Sequence, residues 1–246
     1  MVGYFRRIYK FVFIKNYWIF LLVVVLVSYG QILGMGVWKD DNSIFFKFDH
    51  INEQAGLFGN GVLGSGPYKF SITPYYPIHK IFGNESIVPY YILILIFYFV
   101  STLCVYFLFS KLYSISLGKI AALLFAAGNI SSEGFFWLAN SMLAHMAILF
   151  ISIILIFYHL YYSKKKIFYY LLAVFFYWLC IFLVPLRTHY FIAIVLTFEV
   201  IYFAFKKIPK SLCYSLIRSL PFMVIFNHYY ILYLDPRALS MKDLVI

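Results

Sequence analysis

The chain contains 246 residues, of which 64% are hydrophobic and 12% are charged. A water-soluble domain of that composition could not cover its surface with polar side chains, so its solvent must be largely lipid. The formal net charge of +11 is then a signal of membrane orientation and of attraction to anionic headgroups, and not of nucleic-acid binding.

The apolar segments predict membrane-spanning α-helices. Segments such as 91–109 and 142–158 contain no Lys, Arg, Asp or Glu and show no alternation of polar and apolar residues. A β-barrel needs that alternation, whereas a helix of about 20 apolar residues crosses the hydrocarbon core of a bilayer. Because backbone groups in lipid must satisfy one another, we predict an all-α fold, a polytopic bundle of transmembrane helices.

Seven spans are predicted within a single transmembrane domain that covers residues 1–246. In chain order they cover residues 17–36, 88–109, 117–129, 140–161, 167–183, 189–205 and 216–234. The first span follows a basic segment and lacks a small-residue cleavage site, which is typical of an uncleaved signal anchor. The connections are short except for the loop 38–87, where Gly, Pro, Asn and acidic residues collect and where we expect short interfacial helices.

The charges predict the orientation of the chain. With a cytoplasmic amino terminus, the cytoplasmic segments contain basic residues and no acid, as the positive-inside rule favours. These basic residues are Arg6, Arg7, Lys10, Lys15, Lys111, Lys119, Lys164, Lys165, Lys166, Lys206, Lys207, Lys210 and Arg218. Every acid except Glu199 then falls on the opposite face, which carries Asp40, Asp41, Asp49, Glu53, Glu85, Glu133, Asp235 and Asp243. We therefore predict an integral protein of the plasma or inner membrane, or of the endoplasmic reticulum in a eukaryote.

Two adjacent carboxylates, Asp40 and Asp41, follow the end of the first predicted span. Such a pair suits a general base or a metal ligand, although the same residues also fit the solvated end of a helix. Glu133 lies in the second outer loop, just before aromatic residues that include Trp137. It is either a solvated loop residue or a substrate contact.

Ionisable residues at membrane depth form a second group of candidates, because they usually face a partner or a water-filled cavity. His145, Arg187 and His189 fall near the outer level of the predicted fourth and sixth spans. Together they could line a cavity for a phosphate-bearing ligand, with Arg187 as the bidentate donor; each alone also fits an ordinary helix-end contact. Glu199 falls nearer the cytoplasmic end, where we expect it to pair with a neighbouring helix.

The order of these features resembles the GT-C superfamily of integral-membrane glycosyltransferases, in particular its protein O-mannosyltransferase-like and aminoarabinose-transferase-like branches. The resemblance runs from about residue 17 to residue 205 and rests on four elements in sequence. These are the acidic pair Asp40-Asp41, the loop elements Tyr75-Tyr76-Pro77 and Phe82-Gly83-Asn84, the small-residue third span followed by Glu133 and Trp137, and the segment from Arg187-Thr188-His189 to Glu199. Two positions depart from the family pattern: Tyr76 replaces an arginine and His189 replaces a glutamate.

The resemblance implies transfer of a sugar from a polyprenyl-phosphate donor to a protein, glycan or lipid acceptor at the non-cytoplasmic face. Asp40 or Asp41 would deprotonate the acceptor or hold a divalent cation, Mg²⁺ or Mn²⁺, with Asp41 as the metal ligand. Arg187 and Arg237 would contact the donor phosphate. Since family members usually continue with further helices, the chain is expected to represent the N-terminal membrane module, alone or truncated at its carboxyl end.

Two other classes of function stay open. A polytopic transporter or flippase component for a lipid-linked or anionic substrate would gather its ionisable residues at the midplane. A catalytically inactive membrane scaffold would have no shared pocket. A transferase, by contrast, needs Asp40, Asp41 and Glu133 around one outward pocket.

Overall fold

The computed structural model describes residues 16–36, 45, 48–49, 73–128, 138–184, 191–206 and 212–234, and all structural statements below refer to them. These residues form helices and no β-strand. The α-helices are α1 (Tyr17–Tyr29), α2 (Tyr76–Phe82), α3 (Val88–Leu112), α4 (Ile115–Ala127), α5 (Leu138–Lys164), α6 (Ile167–Leu183), α7 (Phe191–Lys206) and α8 (Leu212–Leu234). Short 3₁₀ helices, Gly30–Gly34 and Thr73–Tyr75, follow α1 and precede α2. The all-α class is thus confirmed.

Three helices are long and apolar enough to cross a bilayer by length and composition: Tyr17–Gly34, Val88–Leu112 and Leu143–Lys164. Shorter apolar helices cover Ile115–Ala127, Ile167–Ile181 and Phe191–Val200. Each predicted span contains a helix, but the count of seven membrane crossings stays a prediction. The chain is therefore a helical protein suited to a membrane through at least these three helices.

Helix α3 is the centre of the arrangement, because α1, α4 and α5 all pack against it. Helix α5 also packs against α6, and α8 packs against α6 and α7. The contact between α3 and α4 is close: a Cβ added to Gly118 would overlap the Ser110 side chain and lie 2.8 Å from the Tyr106 carbonyl oxygen. Together with Gly118, Ala122 and Ala126 form the buried face of α4, a small-residue face of the kind that lets membrane helices approach.

Helix ends follow local sequence signals. The hydroxyl of Ser114 caps α4 by accepting a hydrogen bond from the Leu117 N–H at 3.2 Å, and Pro89 occupies the first turn of α3, where a missing N–H does no harm. The residue that follows α5 is Lys165, whose φ is +54° and whose N–H donates to the Tyr161 carbonyl at 2.7 Å. Glycine usually takes this left-handed position, and a residue with a Cβ costs roughly 1–2 kcal/mol there.

Tyrosine hydroxyls join the helix ends to one another. Tyr29 and Tyr98 donate to the carbonyls of Gly128 and Phe125, near the carboxyl end of α4, where the last carbonyls lack helical partners. In the same way Tyr91 donates to the Gly36 carbonyl at 3.2 Å. In lipid such carbonyls need a protein donor, and these tyrosines supply it at one end of the bundle.

The bundle has two ends that differ in charge. The loop end contains α2, the start of α3 and the end of α4, with Asp49, Glu85 and Lys80. The lysine end contains the end of α3, the start of α4 and the connection between α5 and α6. Its basic residues include Lys111, Lys119, Lys164, Lys165, Lys166 and Arg218. Among the described residues the charges are thus separated as predicted; which end faces the cytoplasm stays a prediction.

Candidate functional site

Most of the predicted site residues lie outside the described residues. These are Asp40, Asp41, Glu133, Arg187, His189 and Arg237. Their roles, including a metal ion at Asp41, stay predictions.

His145 is the predicted site residue that the structure describes. It lies on α5 with no exposed surface, and its ring centroid is 5.0 Å from that of Tyr98. Its backbone carbonyl accepts a hydrogen bond from the Ser101 hydroxyl at 3.1 Å. His145 thus belongs to the contact between α3 and α5, and a substrate contact through it stays a prediction.

The loop end holds a group of polar residues that we call the Asp49 cluster: Asp49, His79, Asn84 and Tyr90. The His79 Nε2 lies 2.8 Å from Asp49 Oδ1, and the Asn84 amide donates to Asp49 Oδ2 at 3.0 Å. Both oxygens of one carboxylate are therefore oriented by neighbouring side chains. The His79 side chain is 9% exposed and that of Asp49 is 46% exposed, so the carboxylate remains open to a ligand.

A tight turn after α2 brings His79, Asn84 and Tyr90 together. Gly83 has a φ of +57°, a conformation that glycine adopts without strain, and its N–H donates to the His79 carbonyl at 2.8 Å. The turn returns the chain to α3 and places Tyr90 beside His79. The rings of Phe45 and Phe48 lie 6.1 and 5.2 Å from the imidazole and shield it from solvent.

The hydrogen bonds of Tyr90 bear on the protonation of His79. The Tyr90 hydroxyl oxygen is 3.0 Å from His79 Nδ1 and 3.0 Å from the Gly83 carbonyl oxygen. If the hydroxyl donates to the carbonyl, it accepts from Nδ1, and the imidazolium form of His79 satisfies every contact, because both of its nitrogens donate. If His79 is neutral, with its proton on Nε2, the hydroxyl donates to Nδ1 instead.

The Asp49 cluster can accept a proton or a hydrogen bond from a hydroxyl that reaches Asp49. A metal site is a poorer fit, because the two Asp49 oxygens already receive hydrogen bonds and the described residues hold no group of three His, Cys, Asp or Glu that could bind a metal ion. A carboxylate held in this way suits acid–base chemistry at an exposed site.

The lysine end holds a second group, the Glu199 cluster: Glu199, Arg218, Tyr158 and Tyr162. The Arg218 Nε and Nη2 each donate to a different Glu199 oxygen at 3.0 Å. Tyr162 donates to Oε2 at 2.6 Å, and Tyr158 donates to Oε1. The carboxylate thus receives four hydrogen bonds, and its side chain is 4% exposed.

This second cluster fastens three helices together. Glu199 lies on α7, Arg218 on α8 and both tyrosines on α5. The guanidinium carbon of Arg218 also lies 5.3 Å from the centre of the Tyr162 ring. The predicted pairing of Glu199 with a neighbouring helix is confirmed, and the arrangement is structural rather than open to a ligand.

The sequence alone did not single out His79, Asn84 or Tyr90 as site residues, and it treated Asp49 only as one of several outer acids. The sequence did contain one signal, an ionisable histidine, His79, in a short aromatic segment of the long loop 38–87. The contact between Asp49 and His79 joins residues 30 positions apart, which no helical period predicts.

Comparison with known proteins adds no assignment. No protein-family model matches the chain, and neither does any curated protein or solved structure. The function must therefore be argued from the site itself.

Proposed function

We propose that the chain is a membrane glycosyltransferase of the GT-C type that moves a sugar from a polyprenyl-phosphate donor to a protein, glycan or lipid acceptor. The observation that supports this proposal is the oriented, half-exposed carboxylate of Asp49. It belongs to the long loop 38–87, where the resemblance also puts the catalytic acids Asp40 and Asp41. Several carboxylates in one loop suit a reaction that begins with the loss of an acceptor proton.

The proposed step is an inverting displacement. The acceptor hydroxyl gives its proton to a carboxylate while its oxygen forms a bond to the anomeric carbon of the sugar. The bond between that carbon and the phosphate oxygen breaks, and the polyprenyl phosphate leaves with the electron pair. A base in hydrogen-bond reach contributes about 10²–10⁴ in rate. Asp40 and Asp41 are the first candidates, and Asp49 joins them because His79 and Asn84 fix its orientation.

The remaining predicted residues complete the proposal. Arg187 and Arg237 would bind the donor phosphate, since a guanidinium recognises phosphate through two parallel hydrogen bonds. Glu133, His145 and His189 would contact the sugar or the acceptor. A divalent cation at Asp41, Mg²⁺ or Mn²⁺, would neutralise phosphate charge; the step above relies on the carboxylates and uses no metal ion.

The proposal also includes an orientation: the loop end faces the non-cytoplasmic side and the amino terminus is cytoplasmic. The separation of charge supports it, since the basic residues at the lysine end include Lys111, Lys119, Lys164, Lys165, Lys166 and Arg218. Positive charge in short loops favours the cytoplasmic side. A donor with a polyprenyl tail would then meet the Asp49 cluster at the outer surface of the membrane.

A transporter or flippase component is the second candidate, and the Glu199 cluster favours it. An ionisable group within apolar helices often marks a substrate or proton path, and Glu199 lies inside the packed helices. Its four donors, however, leave the carboxylate fully engaged. The open carboxylate at the loop end therefore makes transfer the first choice.

The test is sugar transfer by the full chain in lipid vesicles. Radiolabelled polyprenyl-phosphate sugars are supplied with peptide, glycan and lipid acceptors, and the wild type is compared with Asp40→Asn, Asp41→Asn and Asp49→Asn. We expect transfer by the wild type and a loss of about 10²–10⁴ for the variant that lacks the base. Glu85→Gln is the matched control, because Glu85 is an exposed carboxylate at the same end.

Movement of a fluorescent polyprenyl-phosphate lipid across the vesicle membrane is measured on the same samples. A folded chain that moves this lipid but transfers no sugar supports the flippase. A chain that does neither indicates a scaffold. Equal loss of transfer in Glu85→Gln and Asp49→Asn would remove the basis for Asp49 as a specific site residue.

A further inference from the structure

The connection between α5 and α6 is a run of three exposed lysines, Lys164, Lys165 and Lys166, which we call the lysine turn. Helix α5 ends at Lys164 and α6 begins at Ile167, so the connection itself is only Lys165 and Lys166. A link this short holds the three charges at the end of two apolar helices. Their position is therefore fixed by the bundle and not by a long loop.

The backbone conformation of Lys165 is the first observation that indicates a function for its side chain. Its φ of +54° lies where glycine is relaxed and a residue with a Cβ is strained. Glycine would keep the bond from the Lys165 N–H to the Tyr161 carbonyl, which comes from the backbone. The attraction of a lysine charge to the helix dipole, about 0.3–1 kcal/mol, is smaller than the strain of about 1–2 kcal/mol. Strain retained at a surface position points to a function of the side chain.

No ion pair to the lysine turn is found among the residues that the structure describes. In the part of the protein that the structure describes, the ion pairs are His79 with Asp49 and Arg218 with Glu199, and neither includes these lysines. Lys164 instead lies against Tyr169, with its Nζ 3.4 Å from the hydroxyl oxygen and 5.4 Å from the ring centre. Three adjacent positive charges repel one another and attract an anionic partner.

Apolar side chains lie directly beside these charges. Ile167 and Phe168, the first residues of α6, are 61% and 60% exposed. A partner that covers both surfaces must carry negative charge next to hydrocarbon. A phospholipid has that form, with a phosphate above the start of its acyl chains, whereas free phosphate or a nucleic acid lacks the apolar part.

We propose that the lysine turn binds the headgroup of an anionic phospholipid from the adjacent leaflet. The lysines contact the phosphate, and Ile167 and Phe168 contact the first carbons of the acyl chains. This proposal depends on insertion of the helices in a bilayer and is independent of glycosyl transfer.

The experiment counts lipid bound to the full chain in a neutral detergent by native mass spectrometry, during titration with phosphatidylglycerol or phosphatidylcholine. We expect the wild type to prefer phosphatidylglycerol. A lysine near an anionic surface contributes about fivefold in affinity, so Lys165→Gly should weaken phosphatidylglycerol binding about fivefold and replacement of all three lysines by glutamine should weaken it by roughly a hundredfold.

Stability separates this role from a structural one. Lys165→Gly relaxes the backbone, so the variant should resist unfolding at least as well as the wild type while it binds less lipid. Lys165→Arg keeps the charge and should keep the binding. Lys80→Gln is the matched control, because Lys80 is also exposed and lies 5.1 Å from the ring centre of Tyr76, but at the loop end; its lipid binding should equal that of the wild type.

Three results would overturn the proposal. One is unchanged phosphatidylglycerol binding by Lys165→Gly and by the triple variant. Another is an equal loss in Lys80→Gln, which would indicate a general effect of net charge. The last is equally tight binding of glycerol phosphate, which has no acyl chain and would show that the apolar residues take no part.

Discussion

The two ends of the bundle each hold a carboxylate fixed by hydrogen bonds, but they differ in access to solvent. The side chain of Asp49 is 46% exposed and is held by His79 and Asn84. The side chain of Glu199 is 4% exposed and receives four hydrogen bonds from Arg218, Tyr158 and Tyr162. The carboxylate is thus accessible to solvent at the loop end and enclosed by protein at the lysine end.

This difference separates a site from a structural contact. A carboxylate that still faces solvent has room for a further partner, so ligand chemistry belongs to Asp49. A buried carboxylate with all its acceptor positions used has exchanged water for protein donors, and loss of one donor leaves it poorly solvated. The comparison therefore predicts large stability effects at the lysine end and large activity effects at the loop end.

The largest stability effect is expected for Arg218→Met. The variant removes two hydrogen bonds and the compensating charge from buried Glu199, and breaking a buried ion pair from one side costs 3–5 kcal/mol as a rule. The Arg218 side chain retains 20% exposure, so we expect about 3 kcal/mol, the lower end of that range. The free energy of unfolding is measured by titration of the full chain in mild detergent with sodium dodecyl sulfate.

A second substitution sharpens this test. Glu199→Gln combined with Arg218→Met removes the buried charge together with its partner, and the double variant should recover at least half of the loss. Lys164→Met is the control for removal of a basic side chain at the same end, and it should change stability by less than about 0.5 kcal/mol. A loss in Arg218→Met as small as that of Lys164→Met would show that Glu199 is not enclosed.

A smaller loss of stability is expected when one tyrosine hydroxyl that donates to Glu199 is removed. Tyr158→Phe keeps the buried ring but removes a hydrogen bond to a charged group, which is worth about 1.5–3 kcal/mol. Tyr162→Phe should cost less, because Tyr162 is only partly buried and its ring keeps the contact with the Arg218 guanidinium. The same unfolding titration compares the two, and the reverse order would contradict the burial seen at this end.

Most helices could be predicted from the sequence because apolar length alone specifies them. The fifth predicted span, 167–183, coincides with α6 (Ile167–Leu183), since lysines and an apolar run mark its start. The third was predicted at 117–129, whereas α4 covers Ile115–Ala127. The shift arises because the Ser114 hydroxyl caps the helix two residues before the predicted start and Gly128 ends it. Both are local signals, and a prediction from apolar length alone does not include them.

The pairing of Glu199 could be predicted, since a charge within an apolar helix must find a partner. Its partner Arg218 could not be chosen from several basic residues, because the choice depends on how α7 and α8 meet. The Asp49 cluster was beyond prediction for a different reason: Asp49 and His79 are 30 positions apart, and the cluster depends on the turn at Gly83 and on the packing of Phe45 and Phe48 against His79.

Among the substitutions within the two clusters, Asp49→Asn is expected to change stability least, and it compares the two ends of the bundle most directly. Glu199→Gln makes the same change of carboxylate to amide at the lysine end, where it places an N–H₂ group against the donors of Arg218 and two tyrosines. We expect it to cost about 2 kcal/mol, whereas Asp49→Asn should cost less than about 1 kcal/mol, because water screens the half-exposed pair with His79. Unfolding titrations of both variants, with Glu85→Gln as the exposed control, measure the difference.

The relative loss of stability in Asp49→Asn and Glu199→Gln shows whether the Asp49 carboxylate is accessible to a ligand or enclosed by protein. If Asp49→Asn destabilises the chain as much as Glu199→Gln, the Asp49 cluster is a structural contact, and its half-exposed carboxylate is not available to bind a ligand. If Asp49→Asn leaves the fold intact, any loss of sugar transfer in that variant must arise from the chemistry of the carboxylate. A stable but inactive Asp49→Asn chain would therefore connect the exposure of this side chain to the proposed function.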